Sequence, residues 1–159
     1  MSSFPILSAA IWVPIVFGGV LLLIGSDRNP RLVRWIALIG SLLGLLVTVP
    51  LFTDFERGSA AMQFVERRSW IEALSAHYHL GVDGLSVWFV LLTAIITVFV
   101  VVAGWEVVKQ KVAQYMAAVL FLSGLQIGVF AALDGLLFYV FFEASLIPMY
   151  IIIGIWGGP

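Results

Sequence analysis

The sequence predicts an all-α polytopic membrane protein, a fold class indicated by its composition and by the way its charges are separated. Of its 159 residues, 62% are hydrophobic and 11% are charged, compared with about a quarter charged in a soluble domain. Five runs are uncharged or nearly so, and each is long enough to cross a bilayer as a helix, which needs about 20 apolar residues. The runs cover residues 4–25, 35–53, 84–105, 112–133 and 135–157.

These runs are expected to be helices because lipid offers the backbone no hydrogen-bond partner. They are too long for the alternating strands of an outer-membrane barrel. Glu143 alone among the charged residues lies within a run. We therefore expect residues 1–159 to form a single transmembrane domain of five helices. The first run is expected to remain as a helix rather than to be cleaved as a signal peptide, because no basic residue precedes it.

Basic residues in the links indicate the orientation. The first link carries three arginines and the third carries two lysines, whereas the long second link, 54–83, holds three arginines among five acidic residues. This distribution predicts that the N-terminus and the second link face the outer side of the membrane. The first and third links are expected to face the inner side.

The second link contains two local signals. Trp70, Ile71 and Leu74 share one face at helical spacing, which predicts a short amphipathic helix within 64–80 on the outer surface. Asp83 immediately precedes the third run. Its carboxylate is therefore expected to cap that helix by accepting hydrogen bonds from the first backbone N–H groups.

Composition also excludes several function classes. The absence of cysteine excludes disulfides, thiolate-held zinc and iron–sulfur ligation, so any redox centre must lie on another chain. The two histidines, His77 and His79, are too few for a metal cage, and a solvated or partner-facing loop is the preferred interpretation. With a net charge of −1 and no Gly-rich phosphate loop, the chain is not expected to bind nucleic acid or nucleotides.

Glu143 is the residue that most needs a functional explanation. It lies nine residues after Asp134, which places it roughly 13 Å inside the hydrocarbon. A carboxylate at that depth costs several kcal/mol unless it is neutral, paired or hydrated. We expect a buried carboxyl that transfers protons, its proton occupancy changing as a positive charge approaches or leaves. A static structural hydrogen bond is the alternative.

Four further residues are expected to support Glu143. Pro148 lacks the N–H that would bond the carbonyl one turn earlier, and so frees an acceptor beside the carboxyl. Tyr139 and Ser145 add hydroxyl groups within about a turn. Gln126, in the fourth run, would extend a hydrated path. An ordinary proline kink and a polar tie between helices remain the alternatives.

Two motifs resemble a known family. Leu80–Ser86 (LGVDGLS) and Phe141–Tyr150 (FFEASLIPMY), followed by Trp156 and Gly157, resemble subunit M of NADH-quinone oxidoreductase, the respiratory complex I, and its mitochondrial counterpart, chain 4. The first motif is shared with Mrp-type cation/proton antiporter subunits. The likeness runs from about Phe64 to the end, whereas residues 1–63 match only in hydropathy and helix count.

The resemblance implies the N-terminal portion of an antiporter-like helical bundle in a proton-pumping complex, with Glu143 acting in proton translocation coupled to quinone reduction. It implies other membrane-arm subunits and the lipid bilayer as partners. FMN, iron–sulfur clusters and quinone are expected on partner subunits and none in this chain. The implied location is the bacterial plasma membrane, or alternatively the mitochondrial inner membrane.

In the family, the glutamate pairs with a lysine on a later helix, and further helices complete the subunit. We therefore expect this chain to be part of a longer subunit whose remaining helices are missing from it. Two other functions stay open. One is a subunit of a Mrp-type antiporter or a membrane-bound hydrogenase, which would use the same glutamate without NADH. The other is a structural scaffold in which Glu143 is a static hydrogen-bond partner.

Overall fold

The five predicted helices are present in the computed structural model, which describes residues 5–24, 30–53, 55, 62–108 and 111–156. Each helix contains a segment long and apolar enough to cross a membrane. Two strands lie between the second and third helices. The element order is α1 (Ile6–Ile24), α2 (Pro30–Thr53), β1 (Gln63–Ile71), β2 (Ala76–Val82), α3 (Ser86–Val107), α4 (Val112–Ala131) and α5 (Gly135–Trp156).

The second helix begins before its apolar run. It starts at Pro30, five residues ahead of Trp35, and proline suits the first helical position because its missing N–H would have no partner there. Arg31 and Arg34 therefore belong to the first turns of α2. Their long side chains can reach the membrane surface from inside the helix.

Helix α4 is the centre of the bundle and packs against α1, α2, α3 and α5. Small residues allow these close approaches. A Cβ atom added to Gly124 would collide with the carbonyl oxygen of Ile11 on α1, and one added to Gly128 would lie 2.7 Å from the ring of Phe141 on α5. The backbone of α4 thus contacts α1 and α5 at positions where glycine has no side chain.

The small-residue pattern in α2 also forms a helix contact. A Cβ atom on Gly40 would lie 2.7 Å from Phe17, and one on Gly44 would lie 3.4 Å from Pro14. Both partners are on α1. Glycines four residues apart on α2 therefore allow close contact with α1.

Helices α2 and α3 meet through an aromatic pair near each end. Trp35 and Trp105 form a T-shaped pair with ring centroids 5.1 Å apart. At the opposite end, Phe52 and Trp88 form a second T-shaped pair at 5.8 Å. Tryptophan is enriched at both membrane–water interfaces, and the two pairs are spaced as interfacial anchors would be.

The amphipathic helix predicted within 64–80 is wrong, because this segment is an antiparallel hairpin of β1 and β2. A short 3-10 turn, Glu72–Leu74, joins the strands, and Ser75 follows with a positive φ of 53°. The helical spacing of the three apolar residues spans only about one turn. The strands also gain partners far away in sequence: the N–H of Leu133 donates to the carbonyl of His79 at 2.7 Å. Local periodicity does not reveal such bonds.

Candidate functional site

Helix α5 places Glu143 well inside the membrane span. Glu143 lies eight residues beyond the first residue of α5, about 12 Å along the helix axis. Its side chain is exposed. The buried residues of α5 lie on another face of the helix, and they are Leu137, Phe141, Ser145 and Pro148. This chain alone does not cover Glu143, because α5 packs mainly against α4 and β2. Burial of the carboxyl within the membrane stays a prediction.

The face that carries Glu143 is largely open. Only 22% of the apolar segment of α5 is buried inside the chain, compared with 61% of the corresponding segment of α4. Tyr139, 55% exposed, lies one turn before Glu143, and Tyr150, 80% exposed, lies about two turns after it. Residues at these spacings share a helix face. Two phenol groups and one carboxyl group thus line the open side of α5.

Asp134 fixes the start of α5. One of its carboxylate oxygens accepts hydrogen bonds from the backbone N–H groups of Leu136 at 3.0 Å and Leu137 at 3.2 Å. The other accepts from the backbone N–H of His77 on β2 at 2.9 Å. These donors, His77 first and then Leu137, hold the pKa of Asp134 below its usual value. The helix that carries Glu143 is therefore anchored to the hairpin.

Asp83 performs the predicted capping at the start of α3. Its carboxylate accepts from the backbone N–H groups of Leu85 at 3.0 Å and Ser86 at 2.8 Å. In return, the backbone N–H of Asp83 donates to the hydroxyl of Ser86 at 2.9 Å, the reciprocal arrangement of a capping box. The backbone N–H of Ser86, and then its hydroxyl, lower the pKa of Asp83.

The hairpin is also bound to α1 through a polar cluster. The backbone N–H of Ser8 donates to the Glu66 carboxylate at 2.9 Å, and the Ser8 hydroxyl donates to the other oxygen of that carboxylate. The Tyr78 hydroxyl lies 2.8 Å from the Ser8 hydroxyl and accepts from the Trp12 indole at 3.0 Å. One hairpin thus connects the first turns of α1 and α5 and leads directly into α3.

Sequence comparison finds close relatives along nearly the whole chain. The chain is 44% identical over 156 residues to NADH-quinone oxidoreductase subunit M of Rhodobacter capsulatus, covering 96% of this chain and 30% of that protein. It is 41% identical over 151 residues to NADH-ubiquinone oxidoreductase chain 4 of Arabidopsis thaliana, covering 95% of this chain and 30% of the relative. No family model matches the chain.

The fold agrees with these relatives. A chain of respiratory complex I from Thermus thermophilus, solved with bound NADH, superposes with a TM-score of 0.76 and 28% identity over 96% of this chain and 30% of that chain. The chain belongs to the subunit M and chain 4 family of NADH-quinone oxidoreductases. It spans about a third of the length of the family members it matches.

The likeness to the M-subunit family extends further than the motifs indicate. The expectation that residues 1–63 match only in hydropathy and helix count is wrong, since the alignments cover 96% and 99% of the chain. Bacterial and mitochondrial members are both matched. With its five apolar helices, this M-family chain is a multi-pass membrane protein.

The predicted supporting residues of α5 divide between its two faces. Tyr139 shares the face of Glu143, as described above. Ser145 is only 1% exposed, and its hydroxyl donates to the carbonyl of Phe142 at 2.7 Å. Pro148 is also buried on the packed face. Ser145 therefore lies on the face opposite Glu143, because two residues along a helix correspond to about 200° of rotation. Its support of Glu143, as a hydroxyl within about a turn of the carboxyl, stays a prediction.

One polar residue of α4 ties this helix to α3. Ser123 accepts a buried hydrogen bond from the Thr97 hydroxyl at 2.7 Å. Gln126 is half-buried and makes no hydrogen bond within the part of the chain that the structure describes. The role of Gln126 in a hydrated path stays a prediction.

Sequence reasoning predicted the cap at Asp83 but missed the equivalent anchor at Asp134. The repeated tripeptide Asp-Gly-Leu, at Asp83 and again at Asp134, was a usable signal, since both aspartates accept from the backbone N–H groups two and three residues later. The contact between Glu66 and Ser8 had no local signal, because 58 residues separate the two partners.

The residues of this chain do not fit a redox centre. The sequence has no cysteine to hold an iron–sulfur cluster. Across the described ranges, no three His, Asp or Glu side chains come together as a metal site. Proton transfer at Glu143 stays a prediction.

Proposed function

We propose that this chain forms part of the membrane arm of a proton-translocating NADH:quinone oxidoreductase, and that Glu143 takes up and releases a proton within it. The observation that carries the proposal is the placement of Glu143. It is the only charged residue within the five apolar runs, and it lies on the open face of the least covered helix.

Membrane energetics support a working role for this carboxyl. A charged side chain at the centre of a bilayer costs roughly 3 kcal/mol or more, and intramembrane acids usually face a bundle interior or a hydrated path. Lipid satisfies neither condition. The open face of α5 is therefore covered in the assembled protein by other helices, whose cationic groups set the proton occupancy of Glu143.

The neighbouring groups on α5 suit proton exchange. Tyr139 lies one turn from Glu143 on the same face and carries a hydroxyl that both donates and accepts. Pro148 interrupts the hydrogen bonding of α5 five residues after the carboxyl, and in membrane helices such freed carbonyls are commonly satisfied by water or by neighbouring helices. Gln126 adds a half-buried polar group on α4.

The remaining chemistry belongs to partner subunits in this proposal. FMN, iron–sulfur clusters and quinone are held by those subunits, and quinone reduction there supplies the energy. This chain contributes helices and a proton-carrying side chain in the bacterial plasma membrane or its mitochondrial equivalent. Copurification with flavin and iron–sulfur proteins distinguishes this assembly from a cation/proton antiporter or a membrane-bound hydrogenase.

The test compares Glu143→Gln with wild type in inverted membrane vesicles. Glutamine keeps the shape of the side chain and removes its titratable proton. NADH-driven proton uptake and NADH:quinone electron transfer are measured together, with assembled complex quantified in the same vesicles. We expect proton uptake to fall about a hundredfold or more, the usual loss when a proton-transferring group is removed. Glu143→Asp, which retains a titratable proton on a shorter side chain, should keep part of the activity.

Glu72→Gln is the matched control, because it makes the same chemical change on an exposed residue of the hairpin turn. Its proton uptake should equal that of wild type. If the assembled Glu143→Gln complex pumps protons at the wild-type rate, the carboxyl is structural and the proposed role of Glu143 is refuted.

A further inference from the structure

The links between the apolar runs carry opposite charge in the sequence. The links that adjoin the start of α2 and the end of α3 hold five basic and two acidic residues, whereas the other two links hold three basic and six acidic residues. The basic residues of the links at this end of α2 and α3 are Arg28, Arg31, Arg34, Lys109 and Lys111. A surface of this sign attracts the phosphate groups of anionic lipids.

Arg34 is the best-defined cation at this end. Its side chain is half-buried between α2 and α3, where one terminal nitrogen, Nη2, donates to the carbonyl of Val108 at 3.1 Å. Its Nε is buried without an acceptor. Among the described side chains, no carboxylate pairs with this guanidinium. The guanidinium is held in place by the end of α3, and within the described part of the chain its charge is not neutralised.

Two more cations lie near Arg34, and both are exposed. Arg31 is one turn earlier on α2, and Lys111 follows Val108 by three residues, in the turn to α4. Arg31, Arg34 and Lys111, which we call the basic triad, therefore combine one fixed and two exposed cations. A phosphate diester bearing one negative charge suits such a set.

An apolar stripe extends into the membrane from the basic triad. Trp35, packed edge-on against Trp105, begins it. Ile39, Leu42 and Leu46 continue it along α2 and are 49%, 45% and 64% exposed. Leu46 follows Trp35 by eleven residues, which is about 17 Å along the helix axis, close to half of a bilayer core of about 30 Å. The stripe thus has the length of one acyl chain.

We propose that the basic triad binds the phosphate of an anionic phospholipid, whose acyl chain lies along the stripe from Trp35 to Leu46. Charge and depth together select this occupant. A free phosphate would use the cations but not the stripe, and a zwitterionic lipid would fit the stripe while adding its own cation to the triad. The site is independent of the proton-transfer role of Glu143.

The test uses the assembled complex in phosphatidylcholine bilayers that contain a photoactivatable phosphatidylglycerol. Mass spectrometry of the cross-linked peptides measures labelling of α2 between Trp35 and Leu46 as the probe concentration is raised. We expect wild type to be labelled there. Arg34→Gln should weaken apparent affinity about tenfold, because it removes a charge-assisted hydrogen bond. Arg31→Gln and Lys111→Gln should each weaken it about fivefold.

Arg31→Gln and Lys111→Gln keep the proposal testable if Arg34→Gln fails to assemble, because both side chains are exposed. Arg67→Gln, an exposed residue of β1 at the other end, is the matched control and should leave labelling unchanged. Unlabelled phosphatidylglycerol should compete, whereas phosphatidylcholine and inorganic phosphate should not. The proposal is overturned if α2 is not labelled, if the triad variants bind the probe like wild type, or if phosphate or phosphatidylcholine competes equally.

Discussion

Replacement of Gly128 by alanine tests whether α4 sets the position of the helix that carries Glu143. A Cβ atom there would lie 2.7 to 2.8 Å from three ring atoms of Phe141, whereas carbon atoms in contact are normally about 3.5–4.0 Å apart. The ring is buried, with 4% of its surface exposed. The two helices must therefore separate by nearly an ångström, or the ring must leave its rotamer.

The magnitude follows from two opposing effects. Overpacking costs about 1–3 kcal/mol, and alanine returns up to about 1 kcal/mol of helix propensity relative to glycine. Gly19→Ala is the matched control, since no atom lies within 4 Å of a Cβ atom added there. Gly128→Ala should thus be about 1–3 kcal/mol less stable than Gly19→Ala, because propensity cancels between the two variants.

Stability is measured as the midpoint of detergent-induced unfolding of the assembled complex, and proton uptake is recorded in parallel. Adding Phe141→Leu to Gly128→Ala removes part of the ring and should restore about half of the lost stability. Two results would refute the reasoning: a Gly128→Ala variant as stable as Gly19→Ala, or a double variant no more stable than Gly128→Ala alone.

Three further predictions concern the polar contacts. Unfolding measurements on Thr97→Val, Ser123→Ala and the double variant give the coupling energy between the two hydroxyl groups. We expect about 0.6 kcal/mol, the average for hydrogen bonds between membrane helices. A coupling energy of zero would contradict the 2.7 Å hydrogen bond. Tyr78→Phe removes the hydroxyl that joins the hairpin to α1 and should lower the stability of this contact by about 1 kcal/mol. Proteolysis of the hairpin in the assembled complex should therefore be faster. An unchanged cleavage rate would show that the Tyr78 hydroxyl does not hold the hairpin on α1. Asp134→Asn keeps an oxygen that can cap α5 but loses the carboxylate acceptor for His77. Because the native pKa of Asp134 lies below its usual value, the carboxylate stabilises the fold fully above about pH 5 and loses this effect as the pH falls through about 4 and below. The difference in thermal stability between wild type and Asp134→Asn should therefore be constant from about pH 8 to 5 and shrink on further acidification, and a difference that grows in acid would contradict the hydrogen bonding.

The five helices could be predicted because the membrane imposes a simple rule on the sequence. Some 20 residues without charge have no folded alternative in lipid other than a helix. The start of α2 could not be placed in this way. Arg31 and Arg34 lie outside the uncharged run, yet long basic side chains extend to the interface from within a helix. A helix bounded at its charged residues is therefore predicted too short at the start of α2.

The hairpin and the orientation of Glu143 were missed for a different reason. Both depend on contacts between segments distant in sequence. The hairpin is held by the bonds of Glu66 to Ser8 and of Leu133 to His79. The depth of Glu143 follows from residue counting, but the direction of its side chain around the α5 axis is set by the packing of Phe141 on Gly128. A single sequence gives the position of a side chain along the helix axis. The direction in which the side chain points around that axis depends on tertiary packing.

The two faces of α5 therefore serve different physical purposes. The packed face, with Phe141 and Ser145 buried against the bundle, holds the helix at a fixed rotation, and Asp134 fixes its start to the hairpin. These contacts are complete within this chain and do not involve Glu143. The open face bears the carboxyl and Tyr139 at a depth where lipid would penalise a charge. Substitutions on the packed face should consequently change stability and proton transfer together, whereas substitutions on the open face should change proton transfer in a complex that still folds.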